Sequence, residues 1–135
     1  MRIASSMVDQ IVAQARAEAP NECCGIVSSR DGRAVERFPA RNARASPLAY
    51  DIDGADLRRI YDEIDERGLE VGIIYHSHTR SDPVPSQTDI NLASPFFPDV
   101  VYLIVGVKDP ERADVRAWHI KEQRVSEAPL EVEEG

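Results

Sequence analysis

The chain has 135 residues, 42% of them hydrophobic and 30% charged, with a formal net charge of −8. That length suits one domain with room for a real core, and an acidic balance without a Lys/Arg stripe argues against nucleic acid, whose phosphates demand local positive charge. No apolar run approaches the roughly 20 residues that cross a bilayer, Asp9, Gln10 and Arg16 interrupt any signal-peptide-like core, and two adjacent cysteines, Cys23 and Cys24, cannot build a disulfide framework and fit a reducing cytoplasm best.

An amphipathic helix is expected over residues 6–18. Met7, Ile11 and Ala15 share one face, Ser6 with Asp9 has the form of a capping box, and Pro20 ends the helix. Cys24-Gly25-Ile26-Val27 begins a strand, and the hairpin dipeptide Asp31-Gly32 returns the chain through a second strand near residues 33–39. A second helix is expected over about residues 54–67. Asp53 is its N-cap, Leu57, Ile60, Tyr61 and Ile64 form its buried face, and Gly68 stops it.

The apolar run Val71-Gly72-Ile73-Ile74-Tyr75 reads as a strand, followed by a Pro-containing loop and a short helix near residues 87–93. Val100-Val101-Tyr102-Leu103-Ile104-Val105 is apolar throughout, as in a central strand covered on both faces. Lys108-Asp109-Pro110-Glu111 turns the chain into a strand around residues 113–120. Residues 127–135 carry four glutamates and are expected to form an acidic, frayed tail, which leaves residues 1–126 as the domain. Strands interleaved with helices, without repeat or linker, give an α/β sandwich: one mixed β-sheet flanked by helices.

The chemistry is concentrated just after the histidine-bearing strand. His76 and His78, two of only three histidines, stand one residue apart where it ends. Side chains alternate along a strand, so both imidazoles face the same way. Asp89 follows eleven residues after His78, at the start of a helix. Two imidazoles and a carboxylate make three ligands of a tetrahedral metal site with the fourth position left to water, the pattern of a catalytic zinc centre.

Plainer readings exist for each residue. A lone His-x-His is more often a polar strand end, and Ser86-Gln87-Thr88-Asp89 is a capping box that alone accounts for Ser86 and Asp89. Coincidence of position favours the site, because a short loop can return the helix start to the strand end. Glu22, in Asn21-Glu22-Cys23-Cys24-Gly25, is one of 24 acidic residues and by itself reads as a surface carboxylate. If its strand neighbours the histidine strand, Glu22 reaches a metal-bound water.

Glu22, His76-Ser77-His78, a gap of seven residues to Ser86 and of two more to Asp89 together resemble the JAMM motif of the MPN-domain (MPN+) metallopeptidases, with every motif position filled. The resemblance spans essentially the whole chain. It implies a cytidine deaminase-like α/β fold and one catalytic Zn2+ held by His76, His78 and Asp89. Glu22 then handles the water proton and Ser86 donates a hydrogen bond to the developing oxyanion. The stretches Asn42-Ala43-Arg44-Ala45-Ser46-Pro47-Leu48-Ala49-Tyr50 and Ile74-Tyr75-His76-Ser77-His78-Thr79 look like the small bacterial members, particularly hydrolases acting on cysteine adducts of ubiquitin-like sulfur-carrier proteins.

The implied partner is a ubiquitin-like sulfur-carrier protein ending in Gly-Gly, cut just after that tail by a monomer or homodimer with no nucleic-acid or membrane partner. A groove between a strand edge and the metal is expected for the tail, walled by residues 79–85 with Pro83 and Pro85 limiting their freedom. His119 reads as a surface strand residue, Cys24 as a small buried side chain and Asp82 as a turn residue. Rival readings are a silent MPN scaffold, a metallopeptidase of cell-wall peptides, an iron oxygenase with a two-His-one-carboxylate triad, and a zinc nucleoside deaminase. The deaminase would need His-x-Glu and Pro-Cys-x-x-Cys, both absent.

Overall fold

A computed structural model describes residues 1–135, beginning with a short strand, β1 (Arg2–Ala4), that runs straight into helix α1 (Ser5–Glu18). Ile11 and Ala15 are fully buried on the expected face, with Met7 packed beside them. The Ser6 capping box does not form. The N-cap is Ala4, without a side-chain cap, and the Ser6 N–H donates instead to the Gly135 carbonyl at 3.0 Å. A carbonyl from the far end of the chain thus satisfies a helix-start donor that a side chain was expected to satisfy.

Strands β2 (Cys24–Arg30) and β3 (Arg33–Ala40) form the expected hairpin. Asp31 and Gly32 both take positive φ, 51° and 75°, the two-residue turn whose twist matches the strands it joins. Helix α2 (Gly54–Glu66) is capped by Asp53, whose carboxylate accepts from the Asp56 N–H at 3.2 Å. Its buried face is narrower than the spacing predicts: Ile60 and Ile64 are buried, whereas Leu57 and Tyr61 are exposed. The helix rests on the sheet by a single stripe, and Tyr61 turns instead toward the Phe97 ring.

The remaining elements are β4 (Glu70–His78), α3 (Gln87–Leu92), β5 (Val101–Gly106), β6 (Asp114–Lys121), β7 (Arg124–Glu127) and β8 (Glu131–Glu133). All strands join one mixed sheet in the order β7-β6-β5-β4-β2-β3-β1-β8. The pair β4–β5 is parallel, while β2–β4 and β5–β6 are antiparallel. Alternation along β5 sends Val101, Leu103 and Val105 to the α1 side and Tyr102 and Ile104 to the side of α2, so this strand is covered on both faces as expected.

The tail departs from expectation. Residues 127–135 are not frayed: β8 pairs in parallel with β1, and the Glu131 N–H donates to the Met1 carbonyl at 2.9 Å. Strands β7 and β8 lie at opposite ends of the sheet order, yet only residues 128–130 connect them. Four peptide steps span at most about 14 Å. The sheet therefore curls until its two edges approach, and Ala128 and Leu130 pack with the α1 cluster inside the curl. Partial burial of these two apolar residues and the pairing to β1 hold the tail in place despite its glutamates. No helix is long and apolar enough to cross a membrane.

Candidate active site

Register places the first carboxylate. Cys24 pairs with His76 in the antiparallel β2–β4 ladder. Pairing continues one step further, with the Ser77 N–H donating to the Cys23 carbonyl (3.2 Å) and the Cys23 N–H donating to Ser77 Oγ (2.8 Å). One more step sets Glu22 opposite His78. Because faces alternate, Glu22, Cys24, His76 and His78 share the side of the sheet that α2 covers. Opposite them, Tyr75 lies flat across Gly25, where an added Cβ would sit 2.2 Å from the phenol ring.

The other carboxylate comes from the start of α3. Ser86 is its N-cap: Ser86 Oγ accepts from the Asp89 N–H (3.1 Å) and Asp89 Oδ2 accepts from the Ser86 N–H (2.9 Å). The capping box and the site are therefore one arrangement, since the cap aims the Asp89 carboxylate at the strand end. Asp89 Oδ2 lies 3.1 Å from His76 Nε2 and 3.0 Å from His78 Nε2, and the two nitrogens are 3.2 Å apart. A carboxylate oxygen of Glu22 completes the group, with all four donor atoms within 4.8 Å of one another. All four residues are buried.

This triangle fits a metal ion. For zinc bonds of about 2.0–2.1 Å, atoms at neighbouring corners of a tetrahedron stand about 3.3–3.4 Å apart, only slightly wider than the sides found here. His78 donates Nδ1–H to the Asp82 carbonyl at 2.8 Å, which leaves its Nε2 lone pair for a ligand. Glu22 Oε1 has no hydrogen-bond partner in the protein, as suits a carboxylate kept for a reacting molecule.

The electrostatics of the four groups differ: burial acts to lower His78, but its contacts with Asp89 and the Asp82 carbonyl raise it above the ordinary imidazole value. Burial pushes the Glu22 carboxyl up to about 8, with His78 opposing and Asp89 assisting. Burial also acts to raise Asp89, but its close contacts with both imidazoles and the Ser86 N–H hold it well below the usual carboxylate range. Burial lowers His76 despite its contact with Asp89, which favours the neutral, ligating form. Burial pushes both Cys23 and Cys24 thiols up to about 12, so neither serves as a thiolate nucleophile.

The structure brings Glu22, His76, His78 and Asp89 together, with Ser86 at the cap of α3, whereas His119 sits half-buried on β6 outside the group. The walls differ from expectation in one respect. Strands β2, β4 and β5 are interior to the sheet, so no free strand edge borders the site. The loop of residues 79–85 does, and it is well anchored: the Trp118 indole N–H donates to the Pro83 carbonyl at 2.9 Å, and Lys108 pairs with the Asp82 carboxylate. Asp82 is thus more than a turn residue, since its carbonyl fixes the tautomer of His78. The contact of Trp118 with Pro83 spans 35 residues and needs the folded sheet, whereas Asp82 is only four residues beyond His78, a local turn contact that the reading of Asp82 as a turn residue passed over.

With this geometry in place, the relatives are informative. Residues 4–121 match the prokaryotic homologs of the JAB domain. The chain belongs to that family. It is a small JAMM/MPN-type hydrolase. A CysO-cysteine peptidase of Mycobacterium tuberculosis is 34% identical over 134 residues, covering 98% of this chain and 90% of the relative. A desampylase of Haloferax volcanii is 38% identical over 111 residues, covering 77% and 78%. A Desulfitobacterium hafniense protein solved in solution superposes with a TM-score of 0.87 at 26% identity, covering 99% of this chain and 93% of that one.

Proposed function

We propose that the chain is a zinc-dependent hydrolase that cuts the amide bond following the C-terminal Gly-Gly of a ubiquitin-like carrier protein. The observation that carries this reading is the triangle of His76, His78 and Asp89 donor atoms beside the unpartnered Glu22 carboxylate. His76, His78 and Asp89 hold the ion. When bound, zinc supplies Lewis acidity, polarising a carbonyl and acidifying water toward neutral pH. Glu22, whose Oε1 has no hydrogen-bond partner in the protein, accepts a proton from water and returns it to the leaving amine. A hydroxyl has one donor and two acceptor positions, so Ser86 Oγ caps α3 while its O–H donates to the developing oxyanion.

The substrate class rests on the relatives, a CysO-cysteine peptidase and a desampylase. Without a free edge for strand addition, the tail runs between the loops of residues 43–50 and 79–85, where Leu48 and Val84 offer exposed apolar contacts. Glycines, lacking Cβ, can lie close to such a floor. The cytidine deaminase-like placement of the fold is part of the same proposal. The test is mass spectrometry on a carrier extended by one cysteine after Gly-Gly, beside the same protein ending in Ala-Ala before the cysteine. Cleavage of the first alone supports the reading; equal cleavage of both, or of neither, removes the Gly-Gly carrier.

A further inference from the structure

The two histidines are not held alike. His78 Nδ1 is tied to the Asp82 carbonyl, but His76 Nδ1 is buried with no hydrogen-bond partner in the protein. A metal-ligating histidine ordinarily has its second nitrogen bonded, which fixes the ring plane. In place of that bond, Tyr50 lies against His76, with ring centroids 4.0 Å apart and planes inclined by only 17°. Tyr50 is 4% exposed, and its position is set by the loop that carries it.

That loop is organised by one side chain. Asn42, 7% exposed, donates both Nδ2 protons, to the Ala49 carbonyl and to the Glu22 carbonyl, each at 3.0 Å. Its Oδ1 accepts from the N–H groups of Arg44 and Asp51, again at 3.0 Å each. Two donors and two lone pairs exhaust what an amide side chain can do. The same loop takes the other side of the Glu22 peptide, for the Glu22 N–H donates to the Ser46 carbonyl at 2.9 Å. Backbone contacts therefore do for Glu22 what no side-chain hydrogen bond does for its Oε1.

We propose that the loop of residues 42–52 is the positioning device of the site: Tyr50 orients the His76 ring by stacking, and Asn42 locks both Tyr50's loop and the Glu22 backbone. The inference rests on the metal reading given above. It concerns the aromatic face of Tyr50 and not its hydroxyl, so Tyr50→Phe keeps the function and Tyr50→Leu, apolar but without a flat face, loses it. Asn42→Asp keeps the shape but replaces two donors with an oxygen facing two carbonyls.

The experiment measures Zn2+ retention of the full-length chain against a competing chelator, together with the visible spectrum of the Co2+-substituted protein. Circular dichroism tests whether each variant is folded. Tyr50→Leu and Asn42→Asp are expected to lose about 10–100-fold in Zn2+ affinity and to alter the Co2+ spectrum, while Tyr50→Phe matches the parent in both. Parental retention and spectrum in Tyr50→Leu, or an equal loss in Tyr50→Phe, overturns the stacking role. If Tyr50→Leu does not fold, Asn42→Asp decides, and parental affinity there overturns the proposal. A parent chain that retains no Zn2+ at all defeats the metal reading itself, an outcome separate from any difference among the variants.

Discussion

Glu22 should make the metal-free protein less stable as pH rises, and Glu22→Gln should abolish that dependence. Glu22 is 4% exposed, and burial raises its carboxyl from 4.5 to about 8 in the folded chain. Below pH 4.5 the group is protonated in both the folded and the unfolded chain, so the contribution to stability is fully present. Between 4.5 and about 8 the unfolded chain releases a proton that the folded chain retains, and stability falls as pH rises through that window. At about 1.4 kcal/mol per pH unit, the penalty is about 1 kcal/mol at pH 5 and about 3 kcal/mol at pH 7. Glutamine has the same shape and no proton to lose.

Its buried amide brings a cost of its own, on the order of 1–3 kcal/mol if it stays unpaired, but that cost does not change with pH. The difference between the two proteins is therefore read from its slope. Urea unfolding in the presence of a chelator, at pH 5, 6 and 7, should show Glu22→Gln gaining about 2 kcal/mol on the parent chain between the extremes. Parallel pH profiles would refute the argument that burial holds Glu22 near neutrality.

Three further outcomes follow from particular contacts. His78→Ala removes one corner of the donor triangle; it should lose bound zinc by elemental analysis, and added zinc at about 100 times the parent's Kd should no longer stabilise it by about 2.7 kcal/mol in thermal unfolding. Unchanged metal content would take His78 out of the ligand set. Ser86→Ala should cost about 1 kcal/mol of stability through the lost cap and, separately, about 10²–10³ in kcat on the carrier substrate; a stability loss with unaltered kcat would leave Ser86 a cap and nothing more. Gly25→Ala should destabilise the fold by about 1–3 kcal/mol in denaturant titration, because the new methyl meets the Tyr75 ring at 2.2 Å. Tyr75 is itself bonded to Gln14 and Arg37, which leaves the ring little room to move aside, and parental stability would mean that it does.

The local parts of this protein were legible in the amino-acid sequence alone. Strand parity puts His76 and His78 on one face whatever the rest of the chain does, and the capping box from Ser86 to Asp89 involves neighbours three residues apart. The Asp31-Gly32 turn, the Asp53 cap and the apolar central strand are short-range in the same way. The position of Glu22 opposite His78 depends instead on the antiparallel register of β2 on β4, a pairing between residues more than forty apart that local spacing cannot report. Glu22 was singled out by its resemblance to a motif, and only the ladder explains why it belongs there.

Tertiary structure alone decided the rest. Ser6 looked like a cap, yet its N–H is met by Gly135, because the curl of the sheet brings the end of the chain to the start of α1. The acidic tail looked frayed, yet the exposed edge of β1 offered it unpaired backbone groups and the α1 cluster offered Ala128 and Leu130 a place to be buried. The hydrogen bonds of Asn42 and the stacking of Tyr50 on His76 likewise join segments that are distant in the chain. Patterning sets which face a side chain takes and where a helix begins, since those follow from bonds a few residues long. Which strand lies beside which, and what then meets across them, is settled by the burial of the whole sheet at once.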